Sequence, residues 1–170
     1  NADISAIADT SWYTTANSGV TFVLQDVADL YGLAKLINTA KTEFTGQTIK
    51  LGKDLVVNSG KSSSWKNEAP AYTWTPIGSL TSSRKFNGTF DGDGHSISGL
   101  YFTSNEQGLG LFGWTGAGSV IQNMKLDNTY FCATFSAAPA NHLGGAQLGA
   151  IAGRSLGDIT NVYVTDSVYL

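Results

Sequence analysis

The sequence has few charged residues and a single cysteine, and each shortage excludes a class of protein. Charged residues make up 14% of the 170 positions, against roughly 25% in an average soluble domain. With a net charge of −3, the chain has no excess of Lys and Arg with which to bind a nucleic acid or an anionic membrane surface. Cys132 is the one cysteine, so an intrachain disulfide and a cysteine-based zinc site are both excluded.

The sequence also has no recognisable leader and no apolar run long enough to cross a membrane. It begins with Asn1, without the charged and apolar regions of a signal peptide, and it contains no run of roughly eighteen apolar residues. We therefore expect a processed protein or a fragment of a longer one, with neighbouring domains and no membrane insertion in this segment. Apolar residues reach 42%, which indicates a folded chain and a single domain over residues 1–170.

What the sequence does contain is a short phrase that occurs three times. Residues 97–102 read ISGLYF, residues 121–126 read IQNMKL, and residues 159–164 read ITNVYV. Each copy has apolar residues at its first, fourth and sixth positions, and such units bury their apolar faces by stacking on one another. The 24 residues from the first copy to the second equal about one coil of a parallel β-solenoid. The longer second interval predicts an insertion at residues 132–147.

Stacking the three copies predicts ladders of equivalent residues. The inward ladders would be Ile97/Ile121/Ile159, Leu100/Met124/Val162 and Phe102/Leu126/Val164. Asn123 and Asn161 would lie one above the other at a bend, because Asn tolerates left-handed backbone geometry, and Gly99 would take that place in the first copy. These ladders would form a dry core in an all-β domain.

One segment departs from the β pattern. Asp26 is a suitable N-cap and apolar residues follow it at helical spacing, so we expect one amphipathic helix over about residues 26–39, with Gly32 as its weak point. Strands are expected at residues 20–24, 47–51 and 54–57, and repeat coils continue over about residues 47–170. Residues 58–72 are polar and predict an excursion loop with Trp65 at its tip.

The order and spacing of several motifs resemble the GLUG-motif β-helix domains of bacterial secreted and surface-attached proteins. The resemblance is carried by WTPIG at 74–78, FNGTFDGDGHSI at 86–97, GLFG at 110–113, IQNM at 121–124, and FTGQTIKL at 44–51 after the helix. It implies a right-handed parallel β-helix whose first coil is capped by the helix, and a secreted or cell-surface location. The family has no well-established activity, and adhesion or glycan contact is the role usually given to it.

The sharpest cluster of polar side chains is DGDGH at residues 91–95. Asp91 and Asp93 could present carboxylate oxygens to Ca²⁺, which binds about six to eight of them. The further acidic residues of an EF-hand loop do not follow, so the alternative is a sharp corner in which Gly supplies a positive φ and Asp bonds its own backbone. The sequence favours the corner and predicts no cofactor, with calcium as the alternative.

An outward-facing strip is the candidate binding surface. Positions between the core ladders read Tyr101, Lys125 and Tyr163, two aromatic rings with a cation between them. Such a strip is suited to stacking on sugar rings or to cation–π contacts. Trp65 in the polar loop and Trp114 after the GLFG motif add further aromatic candidates.

Three functions remain open on the sequence alone. The favoured one is a non-enzymatic extracellular module that acts in adhesion or binds a glycan or a host or surface protein. The alternatives are a rigid stalk without a ligand and, third, a polysaccharide-degrading enzyme of the β-helix type, for which the paired Asp and Gly-His-Gly set of β-helix pectinases is missing. If the strip faces outward, Tyr101→Ala should leave the melting temperature nearly unchanged, whereas Ile121→Asp should unfold the stack.

Overall fold

The computed structural model describes residues 6–15, 19–134 and 147–170. Within these ranges the structure consists mostly of short strands with one α-helix, and every pair of neighbouring strands is parallel. The helix is α1 (Val27–Asn38). The strands are β1 (Thr21–Leu24), β2 (Thr48–Leu51), β3 (Leu55–Val56), β4 (Thr89–Asp91), β5 (Ser96–Ser98), β6 (Tyr101–Ser104), β7 (Phe112–Thr115), β8 (Val120–Asp127), β9 (Thr129–Ala133), β10 (Ala152–Ser155), β11 (Asp158–Val164) and β12 (Val168–Tyr169).

The predicted helix is confirmed to within one residue at each end. The Asp26 side chain caps it by accepting a hydrogen bond from the amide of Asp29 at 3.0 Å, and Thr39 closes it with a bond to the Lys35 carbonyl at 2.9 Å. Such caps satisfy backbone groups that a helix end otherwise leaves unpaired. The apolar positions that the spacing placed on one face are buried at Leu30, Leu33, Ala34 and Ile37.

Gly32 is a contact point of the helix rather than its weak point. A Cβ at this position would collide with the carbonyl of Asp9, whose amide donates to the Ala28 carbonyl at 2.9 Å. The missing side chain therefore lets residues 6–15 lie directly against α1. The cost of a helical glycine, up to about 1 kcal/mol relative to Ala, is offset by this close approach.

The longest ladder joins β1, β2, β4, β8 and β11. Its central inward row, matched residue by residue, is Phe22, Ile49, Phe90, Ile121 and Ile159. The first four of these side chains are buried, so this row is a continuous part of the core. The pairing of Ile121 with Ile159 is as predicted, and so are the pairs Met124/Val162 and Leu126/Val164.

The first copy of the phrase is placed differently from the prediction. Ile97 lies beside Leu126, in a second ladder formed by β3, β5 and the carboxyl-terminal half of β8, so the predicted Ile97/Ile121 stack is wrong. The reason is that Phe90 of β4 occupies the place beside Ile121, so that Ile97, which follows in β5, lies beside a later part of β8. The bend at residues 92–95, opposite only Asn123 and Met124, absorbs two extra residues and brings Ile97 into register with Leu126.

A third ladder contains the remaining residues of the first phrase. It joins β6, β9 and β12, with Phe102 stacked on Phe131 at a centroid distance of 4.2 Å and Tyr101 beside Tyr130. Leu100 and Phe102 therefore do not join the ladders of Met124 and Leu126, as the phrase predicts. In a fourth ladder, β7 pairs with β10. Phe112 of β7 also forms an isolated parallel bridge with Ile77, which precedes β4 in the sequence.

The predicted pair of asparagines is confirmed at the bend. Asn123 and Asn161 have φ values of 54° and 52°, and the side-chain amide of Asn161 donates to Asn123 Oδ1 at 2.9 Å. Gly99 does not share their position, because its amide bonds the Asn128 carbonyl and its own carbonyl accepts from Asn58. Residues 135–146 of the predicted insertion lie outside the described residues.

Candidate binding surfaces

The Asp91 carboxylate is held by donors from the protein itself. It accepts hydrogen bonds from the Asp93 amide at 2.9 Å, Gln122 Nε2 at 2.9 Å and Asn123 Nδ2 at 3.1 Å. Partial burial opposes ionisation, but these hydrogen bonds prevail and hold the pKa of Asp91 below its ordinary value. Asp93 in turn pairs with Lys50 at 2.9 Å. Both carboxylates thus tie neighbouring parts of the ladder together.

The same segment has the geometry of a tight corner. Asp93 and Gly94 both have positive φ, at 51° and 83°, and the Gly94 amide bonds the Asn123 carbonyl at 2.8 Å. Within the described ranges there is no group of three or more His, Cys, Asp or Glu side chains that could hold a metal ion. The geometry therefore supports the corner. Calcium binding by Asp91 and Asp93 stays a prediction.

Two of the three members of the predicted aromatic strip lie at the surface, and their binding role stays a prediction. Lys125 and Tyr163 are direct neighbours on β8 and β11, and Tyr163 is 65% exposed. Tyr101 is only 8% exposed, so its outward assignment is wrong. It lies in a different ladder, where its ring stacks on Tyr130 at 5.9 Å and meets the edge of Trp65 at 6.3 Å.

Trp65 is buried rather than exposed at a loop tip, with 4% of its surface accessible. A single 3₁₀ turn, Ser62–Ser64, brings it back onto the ladders. The Ser62 amide donates to Asn128 Oδ1 at 2.9 Å and its hydroxyl to the Ser167 carbonyl at 2.7 Å. Because these bonds attach the loop to the β9 and β12 side of the molecule, the indole packs inward against Tyr101.

Trp114 is the one predicted tryptophan that remains partly exposed. It lies on β7, directly opposite Arg154 of β10, while the bridge between Phe86 and Thr115 sets Lys85 on its other side. The Lys85 ammonium is 5.9 Å and the Arg154 guanidinium 5.8 Å from the indole centroid. Both distances are within the range of a cation–π interaction.

Sequence reasoning missed a groove of about 500 Å³, which opens between residues 73–82 and 102–109. Trp74 and Phe102 border it, but each is only 1% exposed. Its walls carry the hydroxyl groups of Thr73, Thr75, Ser79, Thr81, Ser82, Thr103 and Ser104. One carboxylate, Glu106, accepts a hydrogen bond from the Thr81 hydroxyl at 2.8 Å.

Asp127, the last residue of β8, is the centre of a cluster of hydrogen bonds. Its Oδ1 accepts bonds from the hydroxyls of Thr165 and Ser167, both at 2.7 Å, and from the Asn128 amide at 2.8 Å. Lys125 lies 3.2 Å from its other oxygen. The hydroxyl hydrogen bonds, followed by Lys125, lower the pKa of Asp127 to about 2. The cluster fastens β8 to the segment between β11 and β12.

The chain is similar to short parts of two much longer proteins. It is 33% identical over 121 residues to halomucin of Haloquadratum walsbyi, an alignment that covers 70% of this chain and 1% of that protein. It is 33% identical over 92 residues to a putative Gly-rich membrane protein of Evansella cellulosilytica, covering 54% of this chain and 10% of that protein. No family model and no solved structure matches the chain.

The described part of the chain contains no helix that is both long and apolar enough to cross a bilayer.

Proposed function

We propose that this chain is a non-enzymatic module of a larger secreted or cell-surface protein, and that it binds a glycan or protein on a right-handed parallel β-helix. The parallel ladders, with inward rows of buried apolar residues, support the β-helix. The similarity to part of halomucin and to part of a protein named as membrane-associated supports an extracellular or surface location. Membership of the GLUG-motif domains stays a prediction.

The observation that carries the proposed function is the groove between residues 73–82 and 102–109. Its volume, about 500 Å³, lies within the roughly 300–1,000 Å³ of small-ligand sites. Its walls are rich in hydroxyl groups and include the partly exposed Pro76, so it can hydrogen-bond the hydroxyls of a sugar and contact the apolar face of its ring. A rigid stalk without a ligand has no need of such a surface and is the second candidate.

An enzymatic role has less support from the same surface. Standard glycoside hydrolysis uses two carboxyl groups about 5 to 9.5 Å apart. Glu106 is the one carboxylate among the described residues that line the groove, and its side chain is already bonded to the hydroxyl of Thr81. With one acidic group in place, the arrangement fits recognition better than bond cleavage.

The test is a binding screen of the chain against a broad panel of neutral and acidic glycans, with and without Ca²⁺. We expect a hit that Glu106→Gln weakens by about tenfold, because a hydrogen bond to a charged group is lost. Asp166→Asn makes the same chemical change at an exposed carboxylate outside the groove and should leave binding unchanged. If no glycan of the panel binds, glycan recognition is rejected and the stalk is favoured.

A further inference from the structure

Three consecutive positions of the fourth ladder form a row of alternating chemistry, which we call the cation–indole row: Lys85, Trp114 and Arg154. The β7–β10 register sets Arg154 directly beside Trp114, and the Phe86 amide bonds the Trp114 carbonyl at 3.1 Å, which sets Lys85 on the other side. Both cationic groups lie within 6 Å of the indole centroid. The row is partly exposed at Lys85 and Trp114 and exposed at Arg154.

The positive charge of this row is not neutralised within the described residues. Lys50 and Lys125 each pair with an aspartate, at 2.9 and 3.2 Å, whereas neither Lys85 nor Arg154 makes an ion pair there. In the described structure, Lys85 and Arg154 thus place two cations without an ion pair on one surface of a chain whose net charge is −3. Such a patch attracts anions over several ångströms.

Two buried donors near the row lack acceptors. In the described structure neither Trp114 Nε1 nor Arg84 Nε has a hydrogen-bond partner. Arg84 is close to the row, because a Cβ at Gly78 would lie 2.6 Å from the Trp114 carbonyl oxygen and 3.0 Å from that of Arg84. A buried donor without an acceptor costs free energy, so this part of the ladder is less well satisfied than the rest of the described core.

The spacing of the row favours a chain-like ligand. Neighbouring strands in a sheet are about 4.8 Å apart, so the backbones that carry Lys85 and Arg154 are about 9.6 Å apart. Two cations at that distance, separated by an aromatic ring, do not converge on one small anion. They match a polymer that presents repeated anionic groups along the ladder, with a ring between them that can lie on the indole.

We propose that the cation–indole row binds an anionic polysaccharide, with Lys85 and Arg154 each pairing with a carboxylate or sulfate group and Trp114 contacting the sugar ring between them. This inference rests on the proposed function, which it extends to a second surface and to a ligand class. The flexible Lys85 and Arg154 side chains turn from the indole towards the polymer, which opens the ring to contact.

The experiment is calorimetric titration of the complete 170-residue chain with polygalacturonate, dextran sulfate, neutral dextran and poly-L-glutamate. Lys85→Gln and Arg154→Gln should each weaken binding of an acidic glycan about tenfold, and added salt should weaken it further. Trp114→Phe should abolish the ligand-induced change in tryptophan fluorescence. Lys53→Gln removes the same charge at an exposed, unpaired site and should change affinity less than about twofold.

Each outcome bears on the proposal. Preference for polygalacturonate or for dextran sulfate identifies the anionic group, and either one supports the row as the site. Equal losses from Lys53→Gln and Lys85→Gln would show diffuse charge attraction and overturn it, as would equal affinity for poly-L-glutamate. Binding of neutral glycans alone, sensitive to Glu106→Gln, would overturn the row and leave the proposed function standing. No binding of any glycan would overturn both.

Discussion

Asn58 offers the sharpest test of how the 58–72 loop is attached to the ladders. Its side chain is 4% exposed and satisfies three backbone groups at once. Nδ2 donates to the carbonyls of Tyr72 and Gly99, both at 2.8 Å, and Oδ1 accepts from the Tyr72 amide at 2.9 Å. One amide therefore closes the loop and also bonds the bend between β5 and β6.

The expected loss for Asn58→Ala follows from those three bonds. Each buried hydrogen bond contributes about 1 kcal/mol net, and a buried group left without a partner costs about 1 to 3 kcal/mol. Tyr72 is half-exposed, so water can replace part of its bonding, whereas the Gly99 carbonyl is bonded in the interior. We expect Asn58→Ala to lower the free energy of unfolding by about 2 to 3 kcal/mol.

The assay is urea unfolding followed by tryptophan fluorescence and by circular dichroism. Asn105→Ala is the matched control, because Asn105 is exposed and makes no hydrogen bond within the described residues; it should stay within about 0.5 kcal/mol of the parent chain. The denaturant slope should be equal in all three proteins, since the surface exposed on unfolding does not change. If Asn58→Ala and Asn105→Ala unfolded at the same urea concentration, the reasoning from this amide would be refuted.

Two further predictions use the same measurements. Tyr101→Ala should cost about 3 kcal/mol because it empties a buried aromatic site, whereas Tyr163→Ala, at an exposed ring, should cost less than about 0.5 kcal/mol; the reverse order would contradict the assigned ladders. The lowered pKa of Asp127 stabilises the fold above the ordinary value of 3.8, and that stabilisation is lost as pH falls through about 2. After allowance for solvent screening, this stabilisation amounts to about 1 kcal/mol. Asp127→Asn should therefore reduce the loss of stability between pH 3.8 and about pH 2. An unchanged loss would exclude the Asp127 carboxylate as its source.

The local elements could be predicted because their causes are local. The helix needs Asp26 as a cap and an apolar stripe, and both are visible in the sequence. The asparagine pair at the bend was also accessible, because Asn123 and Asn161 occupy the same position in two copies of one phrase. Spacing within a phrase thus predicted which residues of β8 and β11 pair with one another, and on β8 it also predicted which side chains are buried.

The register of the first phrase could not be predicted from the repeat, because the partner of Ile121 does not belong to that phrase. Phe90 of β4 takes the place beside Ile121, and Ile97 is shifted to Leu126. Nothing in the spacing between the two copies records that shift. Because of this error, Tyr101 was predicted at the surface, and the predicted aromatic strip included a residue that is buried in the core.

The cation–indole row and the groove could not be predicted from the sequence for a related reason. Lys85 is 29 residues before Trp114 and Arg154 is 40 residues after it, and neither interval matches the 24-residue spacing of the first two phrases. The groove likewise combines Thr81 with Glu106, from segments without a shared motif. Such surfaces follow from the order in which strands stack, which a single sequence does not define.

The neighbours of a position, and not its sequence alone, decide whether it belongs to the core. Ile121 and Ile159 begin similar phrases and pair directly, yet Ile121 is fully buried and Ile159 is 44% exposed. Among the described residues, β11 has a partner strand on one side only. The outward positions are under no such packing constraint. Stacking fixes their spacing at about 4.8 Å whatever residues they carry. A row such as Lys85, Trp114 and Arg154 can therefore change its chemistry without disturbing the apolar ladders that hold it in place.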